Sequence, residues 1–151
     1  MSRGFVKEGD QEEAPIVPPR AALPPQATNY VTPEGYQELL AERESLEKAY
    51  NNRQGSDTEK RREAMLLDGK LNLLNQRIAS ARIIDPAEQP HEEVRFGATV
   101  ELQNLNGPAK GKSMQLKIVG VDEADLKQGK IAFVAPLAKA AAGKKQGDDF
   151  K

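Results

Sequence analysis

At 151 residues, 38% hydrophobic and 30% charged, the chain has room for one ordinary domain or for two small pieces sharing a modest core. Its 22 basic and 23 acidic side chains leave no net field, which argues against a protein that lives by neutralising phosphate backbones. The lack of cysteine excludes disulfides and thiolate sites, and no apolar run approaches the ~20 residues that span a bilayer.

The first ten residues lack the apolar stretch of a secretory signal, so the expectation is a cytoplasmic protein without membrane contact. Residues 1–30 form a Pro-rich segment, with five prolines between Ala14 and Pro25. Prolines deny backbone donors and break helix and sheet alike, so a disordered tail of polyproline-like character is expected. Such a tail can be a ligand for aromatic grooves, but a solvated tether is the reading its composition favours.

Order is expected from Thr32-Pro33, a good N-cap followed by a proline suited to the first helical position. The helix that follows places Tyr36, Leu39, Leu46 and Tyr50 on one stripe, with Arg43 in the gap, and its charges are mostly acidic. Asn51 to Gly55 breaks the pattern, and Ser56-x-x-Glu59 is a capping box that opens a second helix. There Ala64, Leu67, Leu71, Leu74, Ile78 and Ala81 repeat at 3-4-3-4-3 spacing, an a/d seam on an arm that leans basic. Two seams, a short connection and opposite charge bias predict an antiparallel coiled-coil hairpin over residues 31–85.

Asp85-Pro86 ends the second helix, and residues 86–93 read as a polar linker. From Val94 the period drops to two: Val94, Phe96, Ala98, Val100 and Leu102 share one face of a predicted strand. Asn106-Gly107 signals a turn, Met114, Leu116 and Ile118 alternate on a second strand, and Ile131 to Val134 reads as a third. Pro136 opens a short helix, Leu137 to Ala142, closed by Gly143. The expected fold class is therefore α+β: a helical hairpin, then a small antiparallel β domain with one short helix over residues 94–151.

Five stretches of this second half run in a telling order. They are Val94-Arg95-Phe96-Gly97-Ala98-Thr99-Val100, Ile118 to Asp125, Gly129-Lys130-Ile131, Pro136 to Ala140, and Gly143-Lys144-Lys145 with Gly147-Asp148. Together they resemble the C-terminal domain of the GreA/GreB transcript cleavage factors, a domain of FKBP-like fold. Upstream, Val31-Thr32-Pro33-Glu34-Gly35-Tyr36 and Ala81-Arg82-Ile83-Ile84-Asp85 resemble the opening and close of that family's coiled coil.

The resemblance implies a bacterial elongation factor, associated with transcription regulation and DNA binding, whose β domain grips RNA polymerase at its secondary channel. It implies a monomer that contacts RNA indirectly within the elongation complex. In the family the hairpin reaches down the channel, and acidic residues at its tip help hold a catalytic Mg²⁺ while the polymerase hydrolyses backtracked RNA. Carboxylate oxygens suit Mg²⁺, and two metals clamp the attacking and leaving oxygens. By that resemblance the chain would not be an enzyme and would bind no cofactor tightly; any Mg²⁺ would be shared with the polymerase. The candidate metal donors are Asp57 and Glu59, and the candidate polymerase-binding residues are Val134, Ala135 and Pro136 with Asp122 and Glu123.

The sequence departs from the family in three places. At the tip, Asp57 and Glu59 are the only carboxylates at the turn, Lys60, Arg61 and Arg62 follow directly, and Glu59 also suits a capping box. Both arms are shorter, the first by roughly a dozen residues and the second by about half that, which at ~1.5 Å rise per residue shortens the reach by on the order of 10 Å. Val134 and Ala135 replace a polar pair, and the sheet is expected to lack the last strands of the family domain.

His91, the single histidine, lies in the linker with no second ligand in reach and reads as solvated. Asp122, Glu123 and Asp125 lack the twelve-position ligand spacing of a calcium loop and read as a polymerase-facing surface loop. Gly107 to Lys112 lacks the strand-to-helix context of a phosphate loop. Three other readings stand beside a cleavage factor. They are a Gre-like regulator that fills the channel without stimulating cleavage, an FKBP-like peptidyl-prolyl isomerase, and a coiled-coil adaptor for some other protein. The isomerase reading is weakened because residues 94–151 hold only Phe96, Phe133 and Phe150 as aromatics.

Overall fold

The computed structural model describes residues 14–151. Helix α1, Pro33–Asn51, begins where Thr32 accepts the Gly35 N–H (3.0 Å) on its hydroxyl, and Pro33 fills the first position. Helix α2, Asp57–Ser80, opens on the expected capping box, with reciprocal bonds between Ser56 and Glu59. The two helices pack antiparallel through the predicted seam. Leu39 and Leu74 form its buried centre with Val31, flanked by Tyr36, Leu46, Ile78 and Ala81. Leu67 is buried nearer the tip, and Leu71 is half-buried.

Two short strands that the periodicity did not announce close the hairpin at its base. Strand β1, Tyr30–Val31, pairs parallel with β2, Arg82–Ile83. The Arg82 N–H donates to the Asn29 carbonyl and the Ile84 N–H to the Val31 carbonyl, both at 2.9 Å. Two residues a side are too few to show a period of two, so this pairing is invisible without the helices that bring the ends together.

The β domain is a three-stranded sheet in the order β3-β4-β5, with β3 Thr99–Gln103, β4 Ser113–Val119 and β5 Lys130–Ala132. Only half of the antiparallel expectation holds. β3 and β4 are antiparallel around the glycine-rich loop, but β5 runs parallel to β4. The connection of residues 120–129 turns at Gly120 and again at Gly129 (φ 73°), so the chain re-enters the sheet opposite Lys117 and runs in the direction of β4. The first predicted strand is also shorter than its alternation suggests. Gly97 takes φ 86°, a left-handed turn open to glycine, and its N–H reaches the Ile118 carbonyl, so regular pairing starts at Thr99. Val94 pairs instead with the turn that follows helix α3, Pro136–Ala141, through bonds with Gly143 and Lys144. Leu116, Ile118, Ile131 and Ala138 form the core of this domain.

From Ala14 onward the Pro-rich segment lies against the hairpin instead of forming the expected free tail; residues 1–13 fall outside the described part. Among the described residues, no helix is long and apolar enough to cross a membrane.

Leu74 is fully buried between both arms and the base strands. Leu74→Ala is expected to cost roughly 2–5 kcal/mol by urea denaturation, and the exposed Met65→Ala less than about 1 kcal/mol.

Candidate functional site

The hairpin meets the β domain at Glu123, at the bend after β4. Its side chain sits over the N-terminus of α1. One oxygen, Oε2, accepts the backbone N–H groups of Thr32 (3.0 Å) and Gly120 (3.1 Å). The other, Oε1, accepts the Thr32 hydroxyl, which itself receives the Gly35 N–H. The residue is only 9% exposed. A buried carboxylate is costly unless its lone pairs are filled, and a helix N-terminus supplies both orphan N–H donors and a partial positive charge. Gly35 permits the approach, because a Cβ at that position would overlap the Glu123 carboxyl.

Three further contacts surround this junction. Asn29 donates to the Arg77 carbonyl (3.0 Å) and to Ser80 Oγ (3.1 Å), covering a carbonyl in the last turn of α2. Asp122 accepts Arg77 at Oδ2 (2.9 Å) and Arg20 at Oδ1 (3.0 Å), with its side chain only 5% exposed. Tyr30 packs its ring against both Phe96 and Phe133, which also touch each other, with the three centroids 5.6–5.8 Å apart. Aromatic burial and the polar contacts of Glu123 and Asp122 thus hold the hairpin and the β domain as one body, while Asn29 Oδ1 is buried without a hydrogen-bond partner.

This placement corrects one part of the expected docking surface. Asp122 and Glu123 do not form an outward-facing acidic loop; the protein's own base consumes their oxygens. Asp125 is used locally, accepting the Lys127 N–H. Sequence reasoning missed Tyr30, Gly35, Arg20 and Arg77, whose one outward sign was a glycine in a helical first turn with no visible purpose. Val134, Ala135 and Pro136 do lie together, at the corner entering α3. Ala135 rests on the core, while Pro136 and Leu137 are exposed.

At the far end, Asp57 and Glu59 stand in the first turn of α2. Glu59 Oε1 accepts the Ser56 N–H (2.8 Å), and this bond, with the Ser56 hydroxyl, holds its carboxyl below the usual range. Residues two apart on a helix point to different faces. Among the described residues no three His, Cys, Asp or Glu side chains gather as a metal site. Of the two candidate donors, Glu59 therefore has one oxygen engaged in its own helix cap. Arg53, by contrast, stacks its guanidinium 4.1 Å over the Tyr50 ring beside the turn.

A cleft of about 660 Å³ runs beside β3, lined by Phe96, Val100, Leu102 and Phe150 with the chain around Lys144. Phe96 and Phe133, two of the aromatics an isomerase pocket would need, are spent on packing with Tyr30.

Residues 89–151 match the family model for the C-terminal domain of the GreA/GreB transcription elongation factors. The transcription elongation factor GreA of Nitratidesulfovibrio vulgaris is 30% identical over 136 residues, covering 80% of this chain and 82% of that protein. The chain belongs to the GreA/GreB family. GreA of Hyphomonas neptunium is 40% identical over 83 residues, 55% of this chain. In that match and others like it, the chain spans about half the length of the curated relative. Among solved structures, the GreA factor homolog 1 of Thermus thermophilus aligns over 81% of this chain and 87% of its own, at 19% identity and a TM-score of 0.35.

Two outcomes follow from the geometry. Glu123→Ala strips acceptors from two buried N–H groups and the Thr32 hydroxyl, and should cost on the order of 3 kcal/mol by chemical denaturation. Gly35→Ala, which in an open helix would stabilise, should destabilise this one. For Glu59, a carboxyl lowered in the folded state stabilises above its unfolded pKa and loses that contribution as pH falls through the folded value. The Ser56 amide should therefore lose protection from hydrogen exchange only at pH values below the ordinary glutamate range.

Proposed function

We propose that this chain is a transcription elongation factor of the Gre kind that binds RNA polymerase through its β domain and places its hairpin in the secondary channel. It acts by occupying that channel and contacts RNA only within the elongation complex; it contributes no chemistry of its own. The observation that carries this reading is the fusion of hairpin and β domain at Glu123. A docked β domain then directs the tip, because the junction ties the base of the hairpin to it.

The tip favours occupancy over metal delivery. Glu59 is turned back onto its own helix start, which leaves Asp57 as a single carboxylate among Arg53, Lys60, Arg61 and Arg62. Docking is proposed at the corner formed by Val134, Ala135 and Pro136, where the neighbouring Leu137 offers an exposed apolar side chain.

Mixed with backtracked elongation complexes, the protein should bind the polymerase while RNA shortening stays at background, and Asp57→Asn should change neither. Cleavage above background that Asp57→Asn abolishes would return the tip to a metal-donating role. Leu137→Asp should weaken polymerase binding about tenfold or more, as expected for losing one buried leucine, with the variant's folding checked by circular dichroism because Leu137 is only 37% exposed in the free protein. Undiminished binding would move the docking face elsewhere.

A further inference from the structure

We propose that residues 15–22 are a strap that locks the hairpin and the β domain at a single angle, with Arg20 as its fastening. The Arg20 guanidinium donates through both terminal nitrogens to the Glu42 carboxylate (2.7 and 3.0 Å) and through Nε to Asp122 (3.0 Å). Arg77 closes the ring, donating to the other Asp122 oxygen and to the Ala21 carbonyl. Four charges of balanced sign thus join the strap, α1, α2 and the bend after β4. The side chains of Arg20, Arg77 and Asp122 are 18%, 15% and 5% exposed and that of Glu42 is 42% exposed, so salt screens the Asp122 end of the network little and the Glu42 end more.

The lever geometry gives the network its purpose. Glu123, the Arg77–Asp122 pair and the Tyr30 cluster all tie the β domain to the base of the hairpin, where they resist a swing only through a short lever. Glu42 lies about 15 Å further along the helix axis at ~1.5 Å per residue. A swing that opens the angle at Thr32 separates Glu42 from Asp122, and Arg20 can follow only by releasing one of them. The prolines suit this role, because an already extended segment loses less entropy when it docks.

A second, independent sign is Gly69, in the interior of α2, where glycine is a poor helix former. A Cβ there would overlap Val17 Cγ2 and approach Cγ1 to 3.3 Å, whereas Val17 Cβ lies at a tolerable 3.4 Å. The glycine is the seat of the strap.

The chain has no cysteine, so Gln54→Cys and Lys110→Cys give unique spin-label positions on the tip and the β domain. The full chain should show one narrow distance distribution, and Arg20→Ala should at least double its width. Should Arg20→Ala lose its helical circular dichroism, Arg20→Lys decides, since one ammonium cannot span both carboxylates. An unchanged width in the folded variant overturns the proposal. In parallel, Gly69→Ala should lower Tm in the native background and raise it by about 3 °C beside Val17→Ala. The same sign in both backgrounds would mean that no strap sits on Gly69.

Discussion

The architecture depends on one carboxylate meeting one helix end. Glu123 leaves the β domain, crosses to α1 and satisfies donors that a helix start necessarily leaves unpaired. The match is reciprocal, since the helix end neutralises a charge that burial would otherwise penalise. Its neighbour Asp122 performs the same service for two arginines. Adjacent acids at one bend therefore attach the domain to both arms of the hairpin, and Tyr30 adds an apolar contact beside them.

How much of this was legible depended on the range of each signal. The seam of Leu67, Leu71 and Leu74, the Thr32 cap and the Ser56–Glu59 box are local, and the structure follows them closely. Glu123 and Thr32 are 91 residues apart, and nothing near either one announces the partner. The same distance problem hid the meaning of Gly35 and Gly69, glycines whose reasons lie in Glu123 and Val17. Alternation overextended the first strand because it cannot see that Gly97 turns left-handed. It also carries no information on direction, so the parallel pairing of β5 was out of reach.

For the candidate site, composition was a good guide at the tip and a poor one at the base. The sequence showed Asp57 and Glu59 followed by cations, with a capping box competing for Glu59, and the structure places Glu59 in that box. An acidic loop, by contrast, looked like a surface for a partner, because charge is usually solvated. Arg20 and Arg77, which turn Asp122 inward, come from a proline-rich segment and from a helix face that looked merely basic. The family relationship suggests a polymerase partner; the internal bonding says which acids are left to meet it.

The central claim is a rigid hairpin that reaches into the channel without delivering metal. Its most direct test is a structure of this protein bound to RNA polymerase, read at Asp57. The hairpin should keep its angle to the β domain, with Glu123 still on the start of α1. The Asp57 carboxylate should then stand ~10 Å or more from the polymerase's catalytic Mg²⁺. A carboxylate oxygen at the ~2 Å of a metal bond, or a hairpin rotated off Glu123, would contradict it.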